Sequence, residues 1–112
     1  RKVGLWLERD RLRELVKERT RGMVKAGLLK ETQMLMDKAG ADWPPLGSIG
    51  YAEAVLCLQG KLAESELEEK IVLSTMRLAK KQMTWFRRDV EIVWFHGETQ
   101  FEQAQEYLYK LT

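Results

Sequence analysis

The sequence predicts a mainly α protein, a helical bundle that carries one or two short strands. Apolar residues recur at helical spacing through most of the chain, and strand-like alternation is confined to two short stretches. Glycine and proline punctuate the segments between them. At 112 residues, 45% of them hydrophobic and 32% charged, the chain suits a single compact unit or a piece of a larger one.

Val3, Leu5 and Leu7 alternate with Gly4, Trp6 and Glu8, which predicts a core strand over residues 3–8 with Trp6 on the opposite face. Asp10 is placed to cap a helix whose apolar positions Leu12, Leu15, Val16 and Met23 share one stripe. Gly27 interrupts the pattern, and Leu28, Thr32, Leu35, Met36 and Ala39 define a second helix that Gly40 ends. Residues 10–39 are therefore expected to form a helical hairpin. Residues 40–50 hold both prolines and read as a loop, kept extended by Pro44-Pro45. Helices are expected over 51–88. The first is short, Tyr51 to about Gln59, and stops at Gly60. The second is long and opens on Ser65-Glu66-Leu67-Glu68, the spacing of a capping box, with Leu67, Ile71, Thr75, Leu78, Gln82, Trp85 and Phe86 along one side to about Arg88. Within residues 89–112, Ile92-Val93-Trp94-Phe95 reads as a second strand and Gln100 to Leu111 as a terminal helix.

An isolated strand leaves its amides and carbonyls unpaired. Either the two strands complete a sheet supplied by sequence outside this chain, the favoured reading, or they pair with each other. The opening Arg1-Lys2-Val3-Gly4-Leu5-Trp6 lacks an initiator Met and reads as a strand entered halfway, so a fragment of a larger protein is expected.

Several function classes drop out. No run of 18 or more apolar residues is present, so no membrane-spanning helix is expected. Cys57 is the single cysteine, which excludes a disulfide framework and points to a reducing, cytoplasmic setting. Within Ala54-Val55-Leu56-Cys57-Leu58 it is expected to be a buried, inert thiol. With His96 as the only histidine, no four-ligand zinc site can be assembled. The net charge is only +2, so any affinity for nucleic acid must come from how charge is distributed.

The distribution is uneven between residues 77 and 88. At about 100° per residue, Arg77, Lys80, Lys81, Thr84, Arg87 and Arg88 fall on one side of the long helix. Leu78, Gln82, Met83, Trp85 and Phe86 fall on the other. The five cations have no acid among them until Asp89, and such a stripe repels itself unless something anionic faces it. Phosphates are the natural partner, through salt-dependent counterion release. A solvated surface is the alternative. Trp85 and Phe86 are expected mainly in the core, with base stacking by Trp85 as the other option. A second, weaker stretch is Leu46-Gly47-Ser48-Ile49-Gly50-Tyr51. Gly50 opens a helix whose free amides can bind an anion, and Tyr51 can stack or donate to a phosphate. No residue is assigned a catalytic or metal-ligating role.

Ile49-Gly50-Tyr51, followed by Ala79-Lys80-Lys81-Gln82-Met83-Thr84-Trp85-Phe86-Arg87-Arg88, resembles the tRNA dimethylallyltransferase (tRNA isopentenyltransferase) family. Arg9-Asp10-Arg11-Leu12 and Gly27-Leu28-Leu29-Lys30-Glu31 match in order and spacing, so the resemblance covers roughly residues 3 to 95. It implies the C-terminal part of an enzyme with a P-loop-kinase-like α/β core, which the short strands would complete. That enzyme moves a dimethylallyl group from dimethylallyl diphosphate to the adenosine 3′ to the tRNA anticodon, with Mg2+ expected as cofactor. The family's P-loop and catalytic aspartate lie in its N-terminal half. This chain has no Gly-x-x-x-x-Gly-Lys-Ser/Thr, so on its own it is expected to be inactive and to bind no cofactor. The resemblance marks Ser48, Gly50, Tyr51, Arg77, Lys80, Lys81, Gln82, Thr84, Trp85, Arg87 and Arg88 as contacts to the tRNA anticodon stem-loop. Two departures stand out: Ala52 replaces a Lys, Arg or Gln that would grip tRNA, and Leu15 replaces an Arg that would face the diphosphate. Arg11 and Arg13 are the nearby cations that would compensate. The family's eukaryotic zinc-binding extension is absent, which fits a bacterial-type member. A free-standing helical nucleic-acid-binding module and a helical protein-interaction piece, using Trp6, Trp43, Trp94 and Phe95, are the other readings.

Overall fold

The computed structural model describes residues 2–88 and 91–111, with side chains described as far as Tyr107. Positions 1, 89, 90 and 112, including parts of the expected opening strand and of the 89–112 segment, lie outside the described residues. Among the described residues, five α-helices and two strands follow in the order β1 (Lys2–Trp6), α1 (Arg9–Lys25), α2 (Leu28–Ala39), α3 (Tyr51–Leu58), α4 (Leu67–Phe86), β2 (Ile92–His96) and α5 (Phe101–Leu111). The expected mainly α class holds. The chain divides into two compact units, Arg1–Leu12 with Leu78–Thr112, and Arg13–Arg77, where a single unit was expected. Pairing of the two distant strands gathers the chain's ends into one unit, while residues 13–77 have an apolar core of their own.

In the 13–77 unit that core is Leu28, Ala54, Leu67 and Ile71, with Met23, Val24, Leu29, Tyr51, Cys57 and Leu62 packed against it. Leu67 and Ile71 are almost fully buried, each contributing about 1.5–3 kcal/mol. Thr32 is also buried, and its hydroxyl donates to the Leu28 carbonyl at 2.7 Å, so no polar group is stranded. Cys57 is half-buried rather than fully enclosed, and burial, aided by Glu64 and Glu66, raises its thiol pKa. That keeps it a poor nucleophile, as expected.

Local boundaries move where backbone bonding decides them. Leu12 N–H bonds to Glu8 O at 2.9 Å, so α1 starts before Asp10, which sits in its first turn as a dipole-compensating acid instead of a cap. The Pro44-Pro45 segment is not extended. Trp43 is extended, as a residue before proline must be, but Pro44–Gly47 coils into a 3-10 turn that suits proline's fixed φ and buries Leu46. The anticipated cap residue Ser65 lies inside another 3-10 turn, Glu64–Glu66, so α4 starts only at Leu67.

In the other unit, β1 and β2 run parallel in the register Lys2↔Ile92 through Trp6↔His96. The strands thus pair with each other. β1 is shorter and less buried than the predicted core strand over 3–8, with Leu5 44% and Trp6 41% exposed. Its last carbonyl, on Trp6, accepts Gly97 N–H at 2.7 Å, and the chain then turns into α1. Gly4 lies opposite Trp94, and a Cβ there would stand 2.6 Å from the indole and 2.9 Å from Ile92 Cγ2. The strand therefore requires glycine at this position for close approach, not for flexibility.

His96 ends β2 almost fully buried. Its Nδ1 accepts the backbone N–H groups of Glu98 and Thr99 at 3.2 and 3.0 Å, which assigns the proton to Nε2. Nε2 donates to the Glu8 carboxylate at 2.8 Å, and the ring meets Trp6 edge-on at 4.7 Å. One imidazole thereby ties the entry of α1 to the turn that leads into α5.

Gly4→Ala is expected to destabilise the chain by about 1–3 kcal/mol, because Trp94 must leave its place; a denaturant titration followed by tryptophan fluorescence measures it. The hydrogen bond from His96 holds the Glu8 carboxyl below the usual carboxylate range. A depressed carboxylate stabilises the fold above its unfolded pKa, and that contribution is lost as pH falls through the folded value. The acid limb of a stability–pH profile below about pH 4.5 should accordingly flatten in Glu8→Gln.

Candidate functional site

The basic stretch occupies the C-terminal half of α4 and the turn beyond it. Arg77, Lys80, Lys81, Arg87 and Arg88 are all exposed, and none has an ion-pair partner among the described residues. Thr84 is exposed, but its hydroxyl donates to the Lys80 carbonyl at 2.9 Å, leaving only its lone pairs for a ligand. The helix ends at Phe86; Arg87 and Arg88 stay in a turn because their N–H groups bond to the Met83 and Trp85 carbonyls at 3.0 and 3.2 Å. Cations just past a helix C-terminus also complement its dipole.

Trp85 and Phe86 differ from the core role expected of them: they are 64% and 50% exposed. Among the described residues no buried cluster forms around the end of α4, so two large aromatics stand beside the cations. Gln82 is exposed too and lines a cleft of about 380 Å3 with Met83 and Phe86, facing Gly4 and Trp94.

The second stretch lies in the 13–77 unit. Ser48 is exposed; its hydroxyl donates to Pro45 O at 2.8 Å and its carbonyl accepts Ala52 N–H at 2.9 Å. Gly50 has φ 98° and ψ −62°, a conformation closed to other residues without strain, and a Cβ would also crowd Met23 Cε at 3.2 Å. Its N–H, the amide expected to face an anion, donates at 2.7 Å to Glu53 Oε1. Glu53 is buried, and its other oxygen accepts the Ser74 hydroxyl at 2.9 Å. Tyr51 does not point a free hydroxyl at solvent either. It donates to Glu31 Oε1 at 2.9 Å, and that bond raises its pKa.

Arg11 and Arg13, the cations proposed for the diphosphate, fall in different units. Arg11 Nε donates to Glu98 Oε1 at 3.0 Å, and Arg13 lines a groove with Lys17, Arg21, Glu68 and Glu69. Leu15 and Ala52 are both half-buried. Among the described residues no group of three or more His, Cys, Asp or Glu could hold a metal ion.

Sequence reasoning missed Glu53, Glu31 and His96 as organisers. Glu53 had a local signal, because Gly50-x-x-Glu53 has the N-cap to N3 spacing of a capping box. The Glu31–Tyr51 and Glu8–His96 pairs are distant in sequence and had none. Glu53→Ala should cost about 1–3 kcal/mol by stranding Gly50 N–H and the Ser74 hydroxyl. Ser74→Ala, which frees one bond only, should cost about half as much in the same denaturation assay.

The sequence model of the IPP transferase family matches residues 1–89. A tRNA dimethylallyltransferase of Bdellovibrio bacteriovorus is 41% identical over 104 residues, which is 93% of this chain and 34% of that protein. One from a Synechococcus species is 45% identical over 96 residues, 86% of this chain and 31% of that protein. The chain thus spans about a third of the length of the curated relatives it matches. The full-length tRNA isopentenylpyrophosphate transferase of Bacillus halodurans superposes with a TM-score of 0.86 at 29% identity, covering 98% of this chain and 37% of that one. The Staphylococcus epidermidis enzyme gives 0.84 at 23% identity over 99% of this chain and 38% of that one, a likeness of fold alone. On the extent of that match, the chain belongs to the IPP transferase family.

Proposed function

We propose that this chain is the tRNA-gripping portion of a tRNA dimethylallyltransferase. The whole enzyme would transfer a dimethylallyl group from dimethylallyl diphosphate to the exocyclic amine of the adenosine 3′ to the anticodon, with Mg2+ at the diphosphate and in the cytoplasm. The observation that carries this reading is the exposed cation row of Arg77, Lys80, Lys81, Arg87 and Arg88, which has no ion-pair partner among the described residues, beside an exposed Trp85. Each cation that neutralises a phosphate releases counterions and makes binding salt-dependent. An exposed indole next to phosphate-binding side chains can stack on an unpaired base of the anticodon loop. Family membership supplies the substrate class, and the residues that the chain itself offers in this stretch, cations and an exposed aromatic pair, are suited to binding. Among the described residues, no helix is long and apolar enough to cross a membrane.

Binding of this chain to an unmodified anticodon stem-loop, titrated at two salt concentrations, tests the reading. Salt-sensitive binding is expected. Replacing Lys80, Lys81, Arg87 or Arg88 singly with Ala should weaken binding to all tRNAs alike and flatten the salt slope by about one unit each. A change in which tRNA is preferred, with the salt slope untouched, would count against phosphate contact.

A further inference from the structure

Beside the Gly50 turn lies a recess of about 230 Å3, lined by Met23, Ala26, Leu28, Glu31, Ile49 and Tyr51. All six residues belong to the 13–77 unit. Its wall is apolar except for the Tyr51 phenol and the Glu31 carboxylate. It is smaller than the roughly 300–1,000 Å3 of pockets for drug-sized ligands, a size suited to one planar ring system.

The electrostatics decide what can enter. Tyr51 donates to Glu31 Oε1, and among the described residues Oε2 has no partner. A carboxylate at the edge of the recess repels phosphate, so this part of the Ser48–Tyr51 stretch is unsuited to the anion that its glycine and helix start suggest. A donor group is what it can hold. On an unstacked RNA base, the exocyclic amine of adenine, cytosine or guanine is such a donor, whereas uracil turns a carbonyl oxygen to the same place. The half-buried ring of Tyr51 offers a surface for the base itself.

We propose that this recess receives one unstacked, amine-bearing base of the bound RNA, with the Glu31 carboxylate accepting from the amine and the Tyr51 ring stacking on the base. The inference rests on the RNA-binding reading above and adds a base-selecting residue to it. The cations of α4 then supply sequence-blind affinity, and Glu31 supplies a preference.

Cytidine and uridine test it most sharply, since the two pyrimidines have the same ring size and differ in this substituent. Fluorescence anisotropy of labelled oligo(C) and oligo(U) of equal length should show about tenfold tighter binding of oligo(C), with the same salt slope for both. Glu31→Ala should bring the two within about twofold of each other by weakening oligo(C) alone. Glu31→Gln keeps an acceptor and the bond to Tyr51 but loses the charge, and should retain a reduced preference of about threefold; it also guards against misfolding of the alanine variant. Equal, salt-sensitive binding of both oligomers by the unaltered chain overturns the recess while the RNA-binding reading stands. A cytidine preference that survives Glu31→Ala overturns the role of Glu31. Absence of salt-sensitive binding to either oligomer overturns both readings.

Discussion

A carboxylate taken out of water is the constraint on which the geometry of the 13–77 unit turns. Removing an ion of this size from solvent costs several kcal/mol even after relaxation, and only well-placed hydrogen bonds offset it. Glu53 has two: the Gly50 amide at the start of α3 and the Ser74 hydroxyl on α4. Because it needs both, the start of α3 cannot drift from α4 without stranding a charge. Gly50 in turn must hold a left-handed φ for its amide to reach the carboxylate, so the Ser48–Tyr51 stretch is fixed from within. The positive end of the α3 dipole meets a negative group of the protein's own. That is why an anion-binding role for this helix start weakens once the structure is known.

The other unit uses the same device with a different side chain. His96 is nearly buried at the end of β2, and each of its ring nitrogens has work: one accepts two backbone amides, the other donates to Glu8. The double acceptance at Nδ1 sets the tautomer, and the tautomer makes the bond to Glu8 possible. In the 13–77 unit a small apolar cluster supplies favourable burial but little direction. In each unit a single buried polar group, placed where a turn enters a helix, supplies the geometry.

Helix existence was legible because it rests on local spacing. The stripe Leu67–Ile71 and the pair Leu28–Thr32 fall on buried faces, and glycines end helices where φ must turn positive. Boundaries were less legible, since one hydrogen bond decides them; Asp10 and Ser65 have the chemistry of caps but not the position. Strand pairing between residues 2–6 and 92–96 has no local signature at all, and parallel pairing across so long a crossover is visible only in three dimensions. The basic face of α4 was read from charge spacing and remains exposed. Trp85 and Phe86 were misread as core because periodicity reports which side of a helix is apolar, not whether anything covers it.

That misreading bears on the choice between functions. An exposed apolar patch usually marks a protein contact, and Trp6, Trp43, Trp85 and Phe86 all exceed a third exposed. A protein partner for α4 would have to desolvate the adjoining Arg77, Lys80, Lys81, Arg87 and Arg88 and pair each with an acid, at a cost that buried ion pairs seldom recover. A phosphate backbone makes no such demand. It brings its own regularly spaced anions, leaves the cations partly hydrated, and gains entropy as its counterions disperse. The aromatics then meet bases, which have faces to stack, in place of side chains that must fit. Charge density and exposed rings on one helix end therefore favour the proposed RNA partner over a protein surface.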